Sequence, residues 1–197
     1  PWFDRHGFTL TRVYREDAPV LPAADLLVVL GSPTSAANGH CAPPAAQEIE
    51  AVRGWVTSGR PYLGVCFGAQ ALAAATGGLV RRMDRPFAGY VEMELTTAAS
   101  PALAESWLTW HEDGLTAPID ATLLGCRDHA DLAFRIHRAW GLQPHIEVTP
   151  ESAERMLVAL GVPEHEYIDV LVALRQNAAR DADRAQDLLD AFLADVG

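Results

Sequence analysis

Cys66 lies in the stretch LGVCFGAQ, residues 63–70, after an apolar run and before an alanine-rich one, with Gly64 and Gly68 two residues to either side. Most free cysteines are buried structural thiols. This setting fits another use, a nucleophile on a tight turn from a strand into a helix. Flanking side chains would clash at such a turn, so glycine on both sides relieves the crowding. A helix beginning at Phe67 points free backbone N–H groups at the sulfur, and its dipole favours thiolate over thiol. The same N–H groups can hold the oxyanion that develops when a thiolate attacks an amide carbonyl.

A thiolate acting on an amide also needs a proton donor for the leaving amine, usually a histidine held by a carboxylate. Of the seven histidines, His6, His40, His129, His137 and His165 have the surroundings of surface or loop residues. His145 differs. It follows the strand-like AWGLQ, and Glu147 stands two residues beyond it. In extended backbone those two side chains share a face, which lets Glu147 set the imidazole's tautomer. An isolated H-x-E recurs by chance; its value here lies in following a strand.

These residues need elements to position them. LLVVL at 26–30 and the short run at 62–65 are continuous apolar segments, the mark of strands buried on both faces of a parallel sheet. A Gly/Ser/Pro/Asn-rich loop covers 31–44. Apolar residues at helical spacing predict a helix over 45–58 stopped by Gly59, and small residues predict a tightly packed helix over 67–76 ended by Gly77-Gly78. A short strand is expected at 9–14, after Gly7. Further strands, partly antiparallel, are expected at 89–95, 108–110, 121–124, 132–136 and 140–143. Thr149 caps a helix with Pro150 in its first turn, and two more helices are expected at 164–177 and 181–195. The pattern predicts an α/β fold with a doubly wound, mostly parallel sheet, flanking helices and some antiparallel strands. Residues 1–197 are expected to form a single domain. The chain opens at what reads as the end of a helix, PWFDRHG, so the first strand and helix of the sheet are expected to be missing from this sequence.

Composition narrows the function. The net charge is −11 and the pI near 4.9, which argues against a surface that tracks phosphates, so nucleic acid is not an expected partner. Acidic residues gather in the last third (Glu151, Glu154, Glu164, Glu166, Asp181, Asp183, Asp187, Asp190), interspersed with arginine as on a solvated helix face. All 15 basic residues are arginine, which excludes a phosphate-loop lysine, a Schiff-base lysine and a lysine base. Three widely spaced cysteines without C-x-x-C point away from a disulfide framework or structural zinc, and toward a reducing, cytoplasmic setting. No run reaches the length of a membrane span, so no membrane partner is expected.

Four blocks resemble the class I, triad-type glutamine amidotransferases. GVCFGAQ resembles their G-x-C-x-G-x-Q elbow, LGSPTSA (30–36) their G-G-P-x-S oxyanion loop, TWHEDGL (109–115) their H-G-D stretch, and GLQPHIEVT (141–149) their G-x-Q-F-H-P-E segment. The blocks occur in family order and cover essentially the whole chain. The resemblance implies Cys66 as nucleophile, His145 as general base and acid, and Glu147 as its orienter. It implies oxyanion donors at the Phe67 N–H and in the Gly31–Ser32 turn. It further implies substrate contacts from Gln70 and from the stretch Trp110, His111, Glu112 and Asp113, with no metal or organic cofactor. The chemistry implied is attack on the side-chain amide of glutamine, a γ-glutamyl thioester, release of ammonia and hydrolysis to glutamate.

The chain departs from the family pattern in three places. Ser32 replaces the second glycine of the oxyanion loop. Glu112 replaces a glycine and adds an acid beside the expected pocket, where it would repel an α-carboxylate or attract an amine. Pro144 precedes the histidine instead of Phe, restricting Gln143 to extended backbone. Three readings follow: an amidotransferase whose ammonia acceptor lies on a synthase partner protein, a stand-alone γ-glutamyl peptide hydrolase, or a catalytically silent relative kept for binding.

Overall fold

The computed structural model describes residues 2–15 and 21–197. Helix α1 (Trp2–Arg5) is closed by Gly7 at φ +75°, with the Phe8 N–H donating back to the Phe3 carbonyl at 3.0 Å. Residues 8–15 then run without regular structure, which corrects the strand expected at 9–14. Alternating apolar residues make a strand only where another strand completes the ladder, and here Leu10 and Tyr14 face outward, 65% and 56% exposed.

Strand β1 (Leu27–Val29) leads through the loop to α2 (Pro43–Thr57), which opens on two prolines whose missing N–H groups cost nothing in a first turn. Strand β2 (Tyr62–Val65) runs directly into α3 (Phe67–Ala75). The middle of the chain supplies β3 (Leu79–Glu92), β4 (Glu94–Leu95), a 3-10 turn at Pro101–Leu103, β5 (Ser106–Thr116), β6 (Thr122–Arg127), β7 (Ala130–Ile136) and β8 (Ala139–Leu142). The strand expected at 89–95 is split between the end of β3 and β4, which lie in different sheets. β3 and β5 pair antiparallel in a ribbon of their own, with a register shift between Arg82 and Phe87.

The main sheet has the order β1-β2-β8-β7-β6-β4. β1, β2 and β8 are parallel; β7, β6 and β4 continue the sheet antiparallel. One face is covered by α2 and α3, through Ile49, Val52, Trp55, Phe67 and Leu72 against Tyr62 and Phe134. The other face meets the last helix, α5 (Glu164–Val196), through Leu188, Phe192 and Val196 against Leu63, Trp140 and Leu142. Tyr62 and Leu63 are neighbours on β2 yet enter opposite cores, as the two-residue period of a strand requires.

α5 is a single helix of 33 residues, where two helices were expected. Ala178, Ala179 and Arg180 bridge the two halves, and all three favour helix. Its first half packs with α4 (Pro150–Ala159) over β5, through Leu157, Tyr167, Leu171 and Leu174 around Leu108. Thr149 caps α4, accepting from the Ser152 N–H at 3.2 Å while the Ser152 hydroxyl accepts from the Thr149 N–H at 2.9 Å. Among the described residues no helix is long and apolar enough to cross a membrane.

Candidate active site

Cys66 stands at the C-terminal end of β2, between that strand and α3, with φ 53° and ψ −108°. A positive φ is uncommon for a residue with a side chain and marks a strained turn. The surroundings hold it there. The Cys66 N–H donates to the Leu142 carbonyl of β8 at 2.8 Å, and its carbonyl accepts from the Gln70 N–H at 3.1 Å. That second bond is the first of the helix, so the N–H groups of Phe67, Gly68 and Ala69 are left over at the helix start. The two glycines are required by close approach. A Cβ at Gly64 would lie 2.4 Å from the Gly68 carbonyl, and one at Gly68 would lie 2.1 Å from the Val29 carbonyl oxygen. The Tyr62 hydroxyl donates to the Gly68 carbonyl at 2.8 Å and pins the turn from below.

His145 follows β8 through a bend at Gln143-Pro144, and its N–H donates to the Leu108 carbonyl of β5 at 2.8 Å. Residues 143–147 form bends rather than extended strand, so the H-x-E pair meets by a tight turn. The His145 Nδ1 lies 2.9 Å from Glu147 Oε1. The Cys66 sulfur is the other group that favours the charged form of this imidazole. Gly31 closes against both: a Cβ there would lie 3.0 Å from His145 Cε1 and 3.6 Å from Cys66 Cβ. Burial works against the imidazolium, but the Glu147 carboxylate and the Cys66 sulfur outweigh it, and the pKa of His145 stands well above its ordinary 6.5.

This has a measurable consequence. A group whose pKa is raised in the fold stabilises it fully below its unfolded value, and the effect is lost as pH rises through the folded value. Glu147→Gln is therefore expected to be less stable than the parent chain below pH 6.5. The gap should close as the solution becomes alkaline, in urea melts across pH.

The other expected site residues fall into a buried network behind the cysteine. Asp113 is 3% exposed; its carboxylate accepts from the Ser35 hydroxyl at 2.6 Å and the Ala36 N–H at 3.0 Å, and meets Arg82 Nη1 at 3.4 Å. The Asp113 carbonyl accepts from Gln70 Nε2 at 3.0 Å and faces His111 Nδ1 at 2.7 Å. Gln70 Nε2 also donates to Gln143 Oε1 at 3.2 Å. Burial lowers the pKa of His111, whose ring stacks on His129 at 5.6 Å between centroids. His129 lies in the turn between β6 and β7, the loop position expected, with its ring also stacked on Phe87. The Trp110 carbonyl lies 3.5 Å from the Cys66 sulfur. Glu112 pairs with the Arg82 guanidinium, so the charge it adds is balanced by a cation.

The structure thus brings Cys66, His145, Glu147 and Gly31 to one spot at the ends of β1, β2 and β8. Gln70, His111 and Asp113 form the frame beneath. Ser35, Arg82 and Gln143 join that frame without having been singled out for it. Ser35 carried a signal, as the serine of the oxyanion-loop block; Arg82 carried none, because its partners lie across the ribbon.

Comparison with known proteins identifies the family. Residues 7–162 match the family profile described as glutamine amidotransferase class-I. The chain is 30% identical over 183 residues to the glutamine-hydrolyzing GMP synthase of Serratia proteamaculans, an alignment covering 79% of this chain and 33% of that protein. It spans about a third of the length of the GMP synthases it matches. It is also 30% identical over 174 residues to the glutamine amidotransferase-like protein YfeJ of Salmonella typhimurium, covering 79% of this chain and 72% of YfeJ. Its fold superimposes on a glutamine amido transferase from Methylobacillus flagellatus with a TM-score of 0.81 at 22% identity, covering 100% of this chain and 88% of that one. The chain belongs to the class-I glutamine amidotransferase family.

Proposed function

We propose that this chain hydrolyses the side-chain amide of glutamine through a γ-glutamyl thioester on Cys66, and that the ammonia serves an acceptor on a synthase partner protein. The observation that carries this reading is a cysteine on a strained strand-to-helix turn and a histidine held by Glu147 at 2.9 Å, both packed against Gly31. The sulfur gives its proton to His145 and attacks the γ-carbonyl carbon. The carbonyl electrons move to oxygen, which the N–H groups of Phe67 and of the Gly31–Ser32 turn receive. Collapse of the tetrahedral intermediate breaks the C–N bond, and His145 returns the proton to the leaving amine as ammonia. Water, deprotonated by His145, then attacks the thioester, freeing glutamate and the thiol. Glu147 keeps Nδ1 engaged, so that the other ring nitrogen serves the sulfur.

The side chains of Gln70 and His111 meet the Asp113 backbone carbonyl, and the Asp113 carboxylate is taken by Ser35, the Ala36 N–H and Arg82. Their part is to hold the backbone of residues 110–113, which we assign to the amino-acid end of the substrate. The Trp110 carbonyl beside the sulfur is the first such group. An acceptor outside residues 1–197 is in keeping with the glutamine-hydrolyzing GMP synthases, of whose length this chain spans about a third.

The test is release of glutamate and ammonia from free glutamine, compared with γ-glutamyl peptides. A higher kcat/KM on free glutamine is expected. Preference for the peptides would make this a γ-glutamyl peptide hydrolase, and no turnover of either, with no thiol labelling by a glutamine-like electrophile, would make it a silent relative.

A further inference from the structure

Arg15 belongs to none of the blocks that carry the family resemblance, yet its side chain is only 14% exposed at the end of an irregular segment. Its Nε donates to Glu48 Oε2 on α2 at 2.5 Å. Its Nη1 donates to Ser32 Oγ at 3.2 Å and to Thr34 Oγ1 at 3.1 Å. The guanidinium carbon sits 4.6 Å from the centre of the Phe67 ring. One planar cation therefore touches both Ser32 and Phe67, residues whose N–H groups the proposed mechanism uses as oxyanion donors. The Ser32 hydroxyl oxygen also accepts from the Thr34 N–H at 3.1 Å, closing the loop on itself.

We infer that Arg15 is a positioning residue for the oxyanion hole. It holds the Ser32 turn and Phe67 at the separation that the developing oxyanion needs, and Ser32 replaces the family's glycine because its hydroxyl is what Arg15 grips. The inference rests on the thioester mechanism proposed above. Only arginine fits the task, since its rigid fork reaches a carboxylate and two hydroxyls while its flat face stacks on an aromatic ring. Glycine at position 32 would leave the turn with no side chain to hold, and a donor displaced by even an ångström loses much of its effect on the transition state.

The test separates steps that use the hole from steps that do not. Glutamate γ-semialdehyde adds the Cys66 sulfur to its carbonyl carbon, and the resulting oxyanion occupies the hole. Iodoacetamide alkylates the same sulfur by displacing iodide, and no oxyanion forms. In Arg15→Met, kcat for glutamine is expected to fall on the order of 10- to 100-fold, with aldehyde affinity falling alongside it. KM and the alkylation rate stay unchanged. Ser32→Gly, which restores the family residue, is expected to slow the enzyme in the same way, and to cost nothing further in an Arg15→Met background.

If Arg15→Met fails to fold, Ser32→Gly and Thr34→Val carry the test, since both leave the Glu48 pair intact. An unchanged kcat in Ser32→Gly, or an alkylation rate that falls in step with kcat, overturns the inference. Should the parent chain neither hydrolyse glutamine nor bind the aldehyde, the proposed function fails first, and amide hydrogen exchange decides the remainder. Faster exchange across residues 31–37 in Ser32→Gly, with α3 unchanged, supports the brace; unchanged exchange there overturns it.

Discussion

Gly68→Ala is expected to cost the chain its native fold. The added Cβ would lie 2.1 Å from the carbonyl oxygen and 2.8 Å from the carbonyl carbon of Val29. Both are backbone atoms of β1, a strand paired along its length with β2. No flexible side chain can swing away, so either α3 must lift from the sheet or β1 must leave its register. Ordinary overpacking of a core costs about 1–3 kcal/mol. A backbone-on-backbone clash should exceed that, a large share of the roughly 5–15 kcal/mol by which domains are stable. Soluble yield and a urea melt measure it. Gly54→Ala is the control: this glycine is exposed in the interior of α2, and a Cβ there meets nothing within 4 Å. It should stabilise the chain by about 0.5–1 kcal/mol. A Gly68→Ala chain as stable as its parent would mean that α3 is not seated on β1 as described.

Cys66→Ala is expected to leave the fold intact and abolish glutamine hydrolysis. Alanine keeps the Cβ, so the strained φ of 53° costs the variant no more than it costs the parent. Only the sulfur is removed, and with it the covalent route. Loss of the nucleophile in a triad lowers kcat by about 10⁶-fold, with the residual rate coming from the oxyanion donors and binding. Matching melts alongside glutamate release lowered about 10⁶-fold is the expected pair of results. Hydrolysis retained in this variant would exclude the thioester. Glu147→Gln should give a smaller loss, on the order of 10²- to 10⁴-fold, because the histidine remains but its tautomer and charge are no longer set.

How far these features could be read from the sequence depended on how local their causes are. The runs at 26–30 and 62–65 announce β1 and β2 because a strand buried on both faces leaves a continuous apolar signature. The turn at Cys66 is legible because Gly64 and Gly68 are forced by close approach within one strand-turn-helix unit. Thr149 and Pro150 declare the start of α4 for the same local reason. Long-range features were opaque. Residues 9–14 have the composition of a strand, but ladders are made by partners, and none of these residues has one among the described residues. The β3–β5 ribbon stands apart from the main sheet, and nothing in either strand alone says which sheet it joins. α5 reads as two helices from its apolar periods because its two halves serve different cores. At the site, Cys66, His145 and Glu147 were legible from residue type and order. The frame of Gln70, Asp113 and Gln143, and the grip of Arg15 on Ser32, join distant segments through single hydrogen bonds that leave no pattern.

The most direct measurement is labelling by a glutamine-like electrophile, followed by peptide mapping and residual activity. The other two cysteines are poor competitors: burial raises the pKa of Cys41 and of Cys126, keeping both as thiols. The account predicts one label per chain at Cys66, slowed by glutamine, with hydrolysis falling in proportion to labelling. Label carried by Cys41 or Cys126 in place of Cys66, or full hydrolysis after Cys66 is completely labelled, would contradict it.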